Sequence, residues 1–220
     1  MRSLRTPAAC ALLAASALHA TAQQSVSYTD AVDFQPFGAI PDFTVQSFDS
    51  ALGQLTSIDV TVDLEWMGQI VIENNAPLES ATLLEHSRLE YELSVLWPDA
   101  SPIATYAGVF APGGLTLDPF DGLADFDGTS GATLTQHLTF SASTTLNTES
   151  MTSFIDAGDQ HFAFNAVQVA LLSAQGADVT LTSRAFAGGS LTITYNYVPA
   201  PGSIAPLAAA PLLARRRRRA

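Results

Sequence analysis

The sequence predicts an all-β fold, an antiparallel β-sandwich with a jelly-roll-like arrangement, and three observations lead to this prediction. Hydrophobic residues recur at every second position in several segments, turn-forming residues separate those segments, and no long segment has helical periodicity. Strands with one hydrophobic face, joined by loops rather than helices, are expected to pack as two antiparallel sheets face to face.

Three segments show the alternation most clearly. In each one, hydrophobic side chains point to one side of the strand and polar side chains to the other, which is typical of a half-buried strand. These segments are Ile58–Trp66, Leu89–Trp97 and Leu191–Tyr197. Further strands are predicted near Ser25–Phe34, Gln69–Glu73, Thr133–Phe140, His161–Leu172 and Val179–Thr182.

Turn-forming residues are expected to separate the strands. They are Asn74–Pro77, Pro98–Asp99, Pro112–Gly114 and Gly188–Gly189. Two segments, Ala81–Leu89 and Thr148–Asp156, could each form a helical turn or two.

The first 22 residues have the three parts of a secretory signal peptide. Arg2 and Arg5 form a basic head, residues 8–18 are apolar, and Ala20 and Ala22 flank Thr21 as a small-residue cleavage site before Gln23. The single cysteine lies within the apolar part. The exported protein is therefore expected to lack cysteine and to fold without disulfides, so that its hydrophobic core must supply its stability.

Charge is distributed unevenly along the chain. All 21 acidic residues lie between Asp30 and Asp178, whereas seven of the nine basic residues lie in the two terminal segments. Only Arg88 and Arg184 oppose the acids in the body, which gives it a net charge of −19 against −12 for the whole chain. Such a surface repels nucleic acid and anionic lipid and excludes nucleic-acid binding as a function.

The last 23 residues resemble a signal that holds a translocating chain at a membrane. A stiff turn precedes a short apolar segment, and a basic stop follows it. The turn is Pro199, Ala200, Pro201 and Gly202, the apolar segment is Ser203–Ala214, and the stop is Arg215, Arg216, Arg217, Arg218 and Arg219. The apolar segment is shorter than the roughly 20 residues of a spanning helix, and an uncleaved surface tail is the alternative interpretation.

In this tail the chain resembles bacterial proteins with a PEP-CTERM sorting signal, with Pro199-Ala200-Pro201 standing where Pro-Glu-Pro is usual. A second resemblance is to the choice-of-anchor E domain. It rests on residues 48–58, 120–131 and 189–197. Together the resemblances imply a signal peptide over residues 1–22, a surface domain over 23–197 and a sorting signal over 198–220. They also imply an exosortase-type enzyme as the processing partner.

Four aspartates within ten residues of a glycine-bearing loop form a candidate Ca²⁺ site, because hard cations prefer carboxylate oxygens. The loop lacks the closing glutamate of an EF-hand, and the alternative is a solvated acidic turn whose carboxylates bond their own backbone. No other cofactor is expected. The four aspartates are Asp118, Asp121, Asp125 and Asp127.

The two tryptophans have two interpretations. Trp66 and Trp97 share the faces of their strands' aliphatic residues, which favours the core, and a sugar-stacking platform is the alternative. His86, His137 and His161 lack the spacing of zinc ligands.

The sequence contains no motif of a known catalytic class, but its many carboxylates leave a glycosidase pair open. The pairs considered are Glu65 with Glu73 and Glu65 with Glu90, because a reacting pair is recognised by its separation in space.

The sequence therefore predicts an exported, non-enzymatic protein of the cell surface or extracellular matrix. Its expected partners are the secretion translocon, signal peptidase, an exosortase-type enzyme and an exopolysaccharide, with transient membrane contact through the tail. Two alternatives stay open: an extracellular carbohydrate- or polymer-binding module, with or without Ca²⁺, and a secreted polysaccharide-active enzyme.

Overall fold

The structure, a computed structural model, describes residues 22–38, 40–146 and 151–200. The predicted cleavage residue Ala20 lies outside these residues, as do Pro201, Gly202 and the arginine cluster. Among the helices of the described residues, none has the length and apolar character needed to cross a membrane.

The described residues form eleven strands and two short 3-10 helices. The helices are Ser50–Leu52 and Thr152–Phe154. The strands are β1 (Gln24–Pro36), β2 (Phe43–Gln46), β3 (Gly53–Asn74), β4 (Ala81–Leu83), β5 (Arg88–Leu96), β6 (Pro102–Phe110), β7 (Leu115–Leu117), β8 (Gly131–Leu146), β9 (Asp159–Leu171), β10 (Ala174–Gln175) and β11 (Val179–Pro199).

Eight of these strands form a jelly roll of two four-stranded antiparallel sheets. Sheet I has the order β1-β11-β3-β8, and sheet II has the order β2-β9-β5-β6. Counted in chain order, the eight strands run first-eighth-third-sixth in one sheet and second-seventh-fourth-fifth in the other, which is the order of a double Greek key. The predicted all-β sandwich is confirmed.

The core lies between the two sheets. The inner faces of β3 and β11 supply aliphatic and aromatic side chains from sheet I, and β5 and β9 supply their counterparts from sheet II. At the centre, the fully buried indole of Trp66 stacks on Tyr91, with ring centroids 4.0 Å apart. The interpretation of Trp66 as a core residue is therefore confirmed. Its indole stabilises the core through the apolar surface that it buries and through its stacking on Tyr91.

The longest pairing joins β3 to β11, which run antiparallel from Gly53 opposite Pro199 to Asn74 opposite Val179. Each strand merges two segments that the sequence analysis had separated. The turn predicted at Gly188–Gly189 is wrong, because both glycines lie inside β11 and pair with Glu65 and Leu64. Glycine in a strand can mark close backbone approach as well as a turn, and here the backbone of the neighbouring strand β1 approaches Gly188 closely.

Several short elements were not predicted, and one prediction was wrong. Strands β2, β4, β6, β7 and β10 are too short or too irregular in pattern to have been recognised. Ala81–Leu89, expected to hold a helical turn, instead contains β4 and the start of β5. The second candidate, Thr148–Asp156, includes the 3-10 helix Thr152–Phe154.

The side chain of Tyr195 ties the two sheets together. Tyr195 lies fully buried in β11 of sheet I, and its hydroxyl donates a hydrogen bond of 2.9 Å to the carbonyl oxygen of Gln46 at the end of β2. Burial raises the pKa of Tyr195 well above its ordinary value. The folded protein therefore holds this phenol in its neutral form.

We expect the free energy of unfolding to fall as the pH rises above about 10, the ordinary pKa of tyrosine, because the unfolded chain ionises Tyr195 before the folded chain can. Replacing Tyr195 by Phe (Tyr195→Phe) should cost about 1 kcal/mol at neutral pH and flatten this alkaline decline. Denaturant titrations at several pH values measure both effects.

Tyr28→Phe is the control at neutral pH, since Tyr28 contacts the Tyr195 ring edge-on but donates no hydrogen bond among the described residues. An alkaline decline of the same slope in Tyr195→Phe and the wild type would contradict the assignment.

Candidate functional site

The predicted sorting motif begins inside the folded domain. Pro199 is buried at the end of β11 and pairs with Gly53, and the amide of Ala200 donates a hydrogen bond of 3.1 Å to the carbonyl of Leu52. We call the segment Val198–Ala200, with Leu52 and Gly53, the tail root. Here the structure extends the domain two residues beyond its predicted end at Tyr197, because β11 continues to Pro199.

Gly53 is required at the tail root for two reasons. Its φ of 150° lies in a region that favours glycine. A Cβ placed on it would also lie 2.1 Å from the carbonyl oxygen of Val198 and 2.8 Å from the Cα of Pro199. Because both atoms belong to the backbone, they could not move aside without displacing the end of β11.

Two carboxylates hold the 3-10 helix that precedes Gly53. Asp49 caps this helix by accepting a hydrogen bond of 2.8 Å from the amide of Ala51. Asp156 accepts one bond from the Ser50 hydroxyl at 2.5 Å and another from the Ser50 amide at 2.9 Å. The hydroxyl bond and then the amide bond hold the pKa of Asp156 below its ordinary value.

The amino-terminal end of the domain lies beside the tail root. Gln24 pairs with Tyr197, and the Tyr197 hydroxyl donates a hydrogen bond of 3.1 Å to the side-chain carbonyl of Gln24. Ala22, the second predicted cleavage residue, is exposed and precedes β1. Both predicted signals therefore join the sandwich at the same end.

The four aspartates of the candidate Ca²⁺ site are exposed, and several bond nearby backbone. Asp121 accepts a hydrogen bond from the amide of Leu123, Asp125 accepts one from the amide of Asp127, and Asp127 accepts one from Gly128. The carbonyl of Asp118 accepts a bond from the side chain of Asn74. In the described residues, no three acidic, histidine or cysteine side chains are grouped so as to hold a metal ion.

A buried carboxylate holds this loop in place. It belongs to Glu73, which the sequence analysis considered as one member of a glycosidase pair. Glu73, 1% exposed at the end of β3, accepts hydrogen bonds from the amide of Phe126 at 2.7 Å and from the hydroxyl of Ser130 at 2.8 Å. Next to it, the buried amide of Asn74 donates to the carbonyls of Glu79 and Asp118, both at 2.7 Å. Glu73 therefore has a structural role.

The proposed glycosidase pairs are not brought together. Glu65 and Glu73 lie eight residues apart on one strand, a separation of about 27 Å. Glu65 and Glu90 lie on the outer faces of opposite sheets. Reacting carboxylates need a separation of about 5–10 Å, so neither pair can act as one.

The remaining candidates are dispersed. Trp97 is half-buried and packs against Phe154 and Phe162, with ring centroids 5.9 and 5.8 Å apart. The three histidines that the sequence analysis considered occupy a turn, β8 and β9: they are His86, His137 and His161. Two of them have polar neighbours, since His137 lies 3.4 Å from Glu65, and His161 contacts the Thr44 hydroxyl at 3.2 Å.

Comparison with known proteins adds little to this description. No protein-family model matches the chain, and no curated protein matches it. The solved structure of the Gx strain of infectious bursal disease virus aligns at 12% identity with a TM-score of 0.21, covering 81% of this chain and 38% of the viral chain. The VP2 subviral particle of that virus aligns at 12% identity with a TM-score of 0.16, covering 88% and 48%. This chain therefore spans less than half of those viral chains.

Neither the requirement for glycine at position 53 nor the structural role of Glu73 was predicted from the sequence. Gly53 stands 146 residues before its partner Pro199, so no local pattern connects them. For Glu73 a signal existed: Ile70, Val71 and Ile72 precede it without alternation, which is typical of a strand end buried on both faces.

We expect Gly53→Ala to destabilise the protein by about 2 kcal/mol or more, because it combines backbone strain with a backbone clash. It should also free the tail root, so that the Ala200 amide exchanges its hydrogen rapidly in a deuterium-exchange measurement. Gly38→Ala is the matched control: Gly38 also has a positive φ, 89°, but nothing lies within 4 Å of an added Cβ. Equal exchange at Ala200 in both variants would contradict the clash.

We expect Glu73→Gln to destabilise the protein by about 1–2 kcal/mol, because the negative charge that strengthens both hydrogen bonds is lost and the Ser130 hydroxyl must turn to accept a bond from the new amide group. Glu73→Ala should cost about 3 kcal/mol, since both donors then stay buried and unpaired. Denaturant unfolding measures these differences. The exposed Glu79→Gln carries the same charge change and should lie within about 0.5 kcal/mol of the wild type; a larger effect there would show that net charge is responsible.

Proposed function

We propose that this protein is an exported, non-enzymatic protein of the cell surface or extracellular matrix, processed at its C-terminal sorting signal by an exosortase-type enzyme. The geometry of the tail root is the observation that carries the proposal. The sorting motif starts at Pro199, where the last strand of the jelly roll ends, and Ala200 follows directly after that strand end.

The position of the tail root separates the folded domain from the segment to be removed. A cut after Ala200 leaves intact the hydrogen bonds of β11 to the other described strands, whereas a cut before Pro199 would require the strand end to detach from Gly53. In this proposal, folding therefore protects the domain and directs cleavage to the residues beyond Ala200.

Attachment through β11 also suits a surface domain mechanically. Strand β11 lies inside sheet I, hydrogen-bonded to β1 on one side and to β3 on the other. Because antiparallel hydrogen bonds run perpendicular to the strands, a pull along β11 loads many of them together. A domain tethered by its tail would therefore resist extraction of its last strand.

The charge of the body supports a role outside the cell. A net charge of −19 keeps the domain soluble and repels nucleic acid, so the partners in this proposal are the export and sorting machinery and an uncharged or cationic surface polymer. The five arginines would act before cleavage, as a positive stop on the cytoplasmic side of the membrane.

Replacing the five arginines by serine (Arg215→Ser through Arg219→Ser) should change the mature C-terminus but not the mature N-terminus. The full chain is expressed in a bacterium that carries an exosortase-type enzyme, and the products are measured by intact mass. We expect wild-type product that begins at Gln23 and ends beyond Pro199, and variant product that begins at Gln23 and keeps its tail.

Arg184→Ser is the control, because it removes an arginine from the exposed face of the domain. It should give the wild-type N- and C-termini, with a mass that differs from the wild type only by the substitution itself. If the arginine-free variant also gave the wild-type masses, the arginines would have no part in sorting, and if the wild type kept its full length, the proposal would fail.

A further inference from the structure

A β-bulge on sheet I places two neighbouring side chains on the same exposed face. Val32 pairs with Gly189 and Gln35 with Ala187, so that Asp33 and Phe34 together stand opposite Gly188. Neighbouring residues of a regular strand point to opposite faces, but here both Asp33 and Phe34 are exposed. Bulges of this kind occur where a side chain is redirected for a purpose.

The glycine opposite the bulge forms the floor of a depression. A Cβ on Gly188 would lie 2.9 Å from both the Cα of Phe34 and the carbonyl oxygen of Val32, so the close approach of β1 requires glycine here. Without side chains on the floor, the outer face of sheet I opens into a depression of about 590 Å³. Its polar lining residues are Asp33, Asp63, Glu65, Thr139, Ser141 and Ser190.

Three kinds of chemical group meet in this depression. The Phe34 ring, 40% exposed, is held by a stacked contact with Phe186 and an edge contact with His137, both with centroids 5.9 Å apart. Hydroxyl groups of serine and threonine line the wall on the β8 side. Among the described residues, the carboxylates of Asp33 and Asp63 accept no hydrogen bond, and both residues line the depression.

The three acidic residues of the depression are spread over an area as wide as a ring-sized organic ligand. Strands β1 and β3 are separated by β11, so the Cα atoms of Asp33 and Glu65 are about 10 Å apart across the floor, and those of Asp63 and Glu65 are about 7 Å apart along β3. The depression is not a metal site, since no such group of the described residues is arranged to hold an ion. A ligand that spans it must therefore be about the size of one or two sugar rings.

We propose that this depression binds a glycan that carries amino groups. The apolar C–H face of a sugar ring would lie on Phe34, its ammonium group would lie among the carboxylates, and its hydroxyls would exchange hydrogen bonds with the serines and threonines. An acidic glycan would be repelled by the charge. A basic peptide would satisfy the carboxylates but leave the hydroxyls unused. This inference goes beyond the proposed function and does not depend on how the tail is processed.

The test is calorimetric titration of the purified full chain at about pH 6, where an amine of this kind is protonated. The ligands are the β-1,4-linked tetramer of glucosamine, its N-acetylated counterpart, a glucose tetramer and tetralysine. We expect the glucosamine tetramer to bind at least about tenfold more tightly than each of the other three. Its affinity should fall as salt is added, because salt screens exposed charges.

Two variants locate the site. Phe34→Ala, and separately Asp63→Asn with Glu65→Gln, should each weaken glucosamine binding about tenfold or more. Asp121→Asn with Asp125→Asn removes the same charge from the exposed loop and should leave the affinity within about twofold. Thermal melting and circular dichroism confirm that each variant is folded, and all these positions are exposed on the surface.

Each other outcome overturns the proposal. Equal binding of tetralysine would identify a surface for basic peptides, and equal binding of the glucose tetramer would identify a neutral-sugar site. Equal loss in the loop control would indicate non-specific attraction by net charge. Because binding is measured on the purified chain, a failure here leaves the sorting proposal intact, and an unprocessed tail leaves this one intact.

Discussion

The pairing of β3 with β11 is the constraint on which the rest of the structure depends. The two strands run side by side for their whole length, and β1 and β8 extend the same sheet from either side of them. Their inner faces supply much of the core, including the fully buried Ile58, Val60 and Ile193. Because side chains alternate, a slip of one residue in this register would turn those residues to water and bring Asp59 and Thr61 inside.

Specific contacts hold each end of this strand pair in place: hydrogen bonds at one end and a close backbone contact at the other. At one end, Glu73 and Asn74 accept and donate hydrogen bonds to the loop that carries the acidic residues. At the other end, Gly53 lies against the backbone of Val198 and Pro199. Removing one partner of the buried hydrogen bonds destabilises the protein, because the other partner is then left unpaired away from water. The backbone contact at Gly53 depends instead on the absence of a side chain.

Sequence patterns predicted the parts of the fold that depend on local alternation. Ile58–Trp66, Leu89–Trp97 and Leu191–Tyr197 belong to strands as expected, since one buried face suffices to impose a period of two. The class of fold followed from those strands and the absence of helical periodicity. The order of the strands could not be predicted, because it depends on contacts such as Gln24 with Tyr197, which are distant in sequence.

The candidate site was harder to predict than the fold, and the glycines explain why. Gly188 and Gly189 have the composition of a turn, and local sequence cannot distinguish a turn from a strand whose neighbour approaches its backbone closely. Glycine is required at position 188 because of the bulge in β1, which lies more than 150 residues earlier in the sequence. The acidic loop shows the opposite case: the sequence left open a Ca²⁺ site and a solvated turn whose carboxylates bond their own backbone, and the hydrogen bonds in the structure match the second alternative.

In the two proposals, the point of attachment and the ligand-binding depression lie on the same strand, β11, and are well separated along it. Pro199 and Gly188 are eleven residues apart on β11, which corresponds to about 37 Å along the strand. A domain held through Pro199 would therefore present the depression well away from the point of attachment. Because both features lie on the same rigid strand pair, a load on a bound polymer would pass to the tail root through paired backbone rather than through a loop.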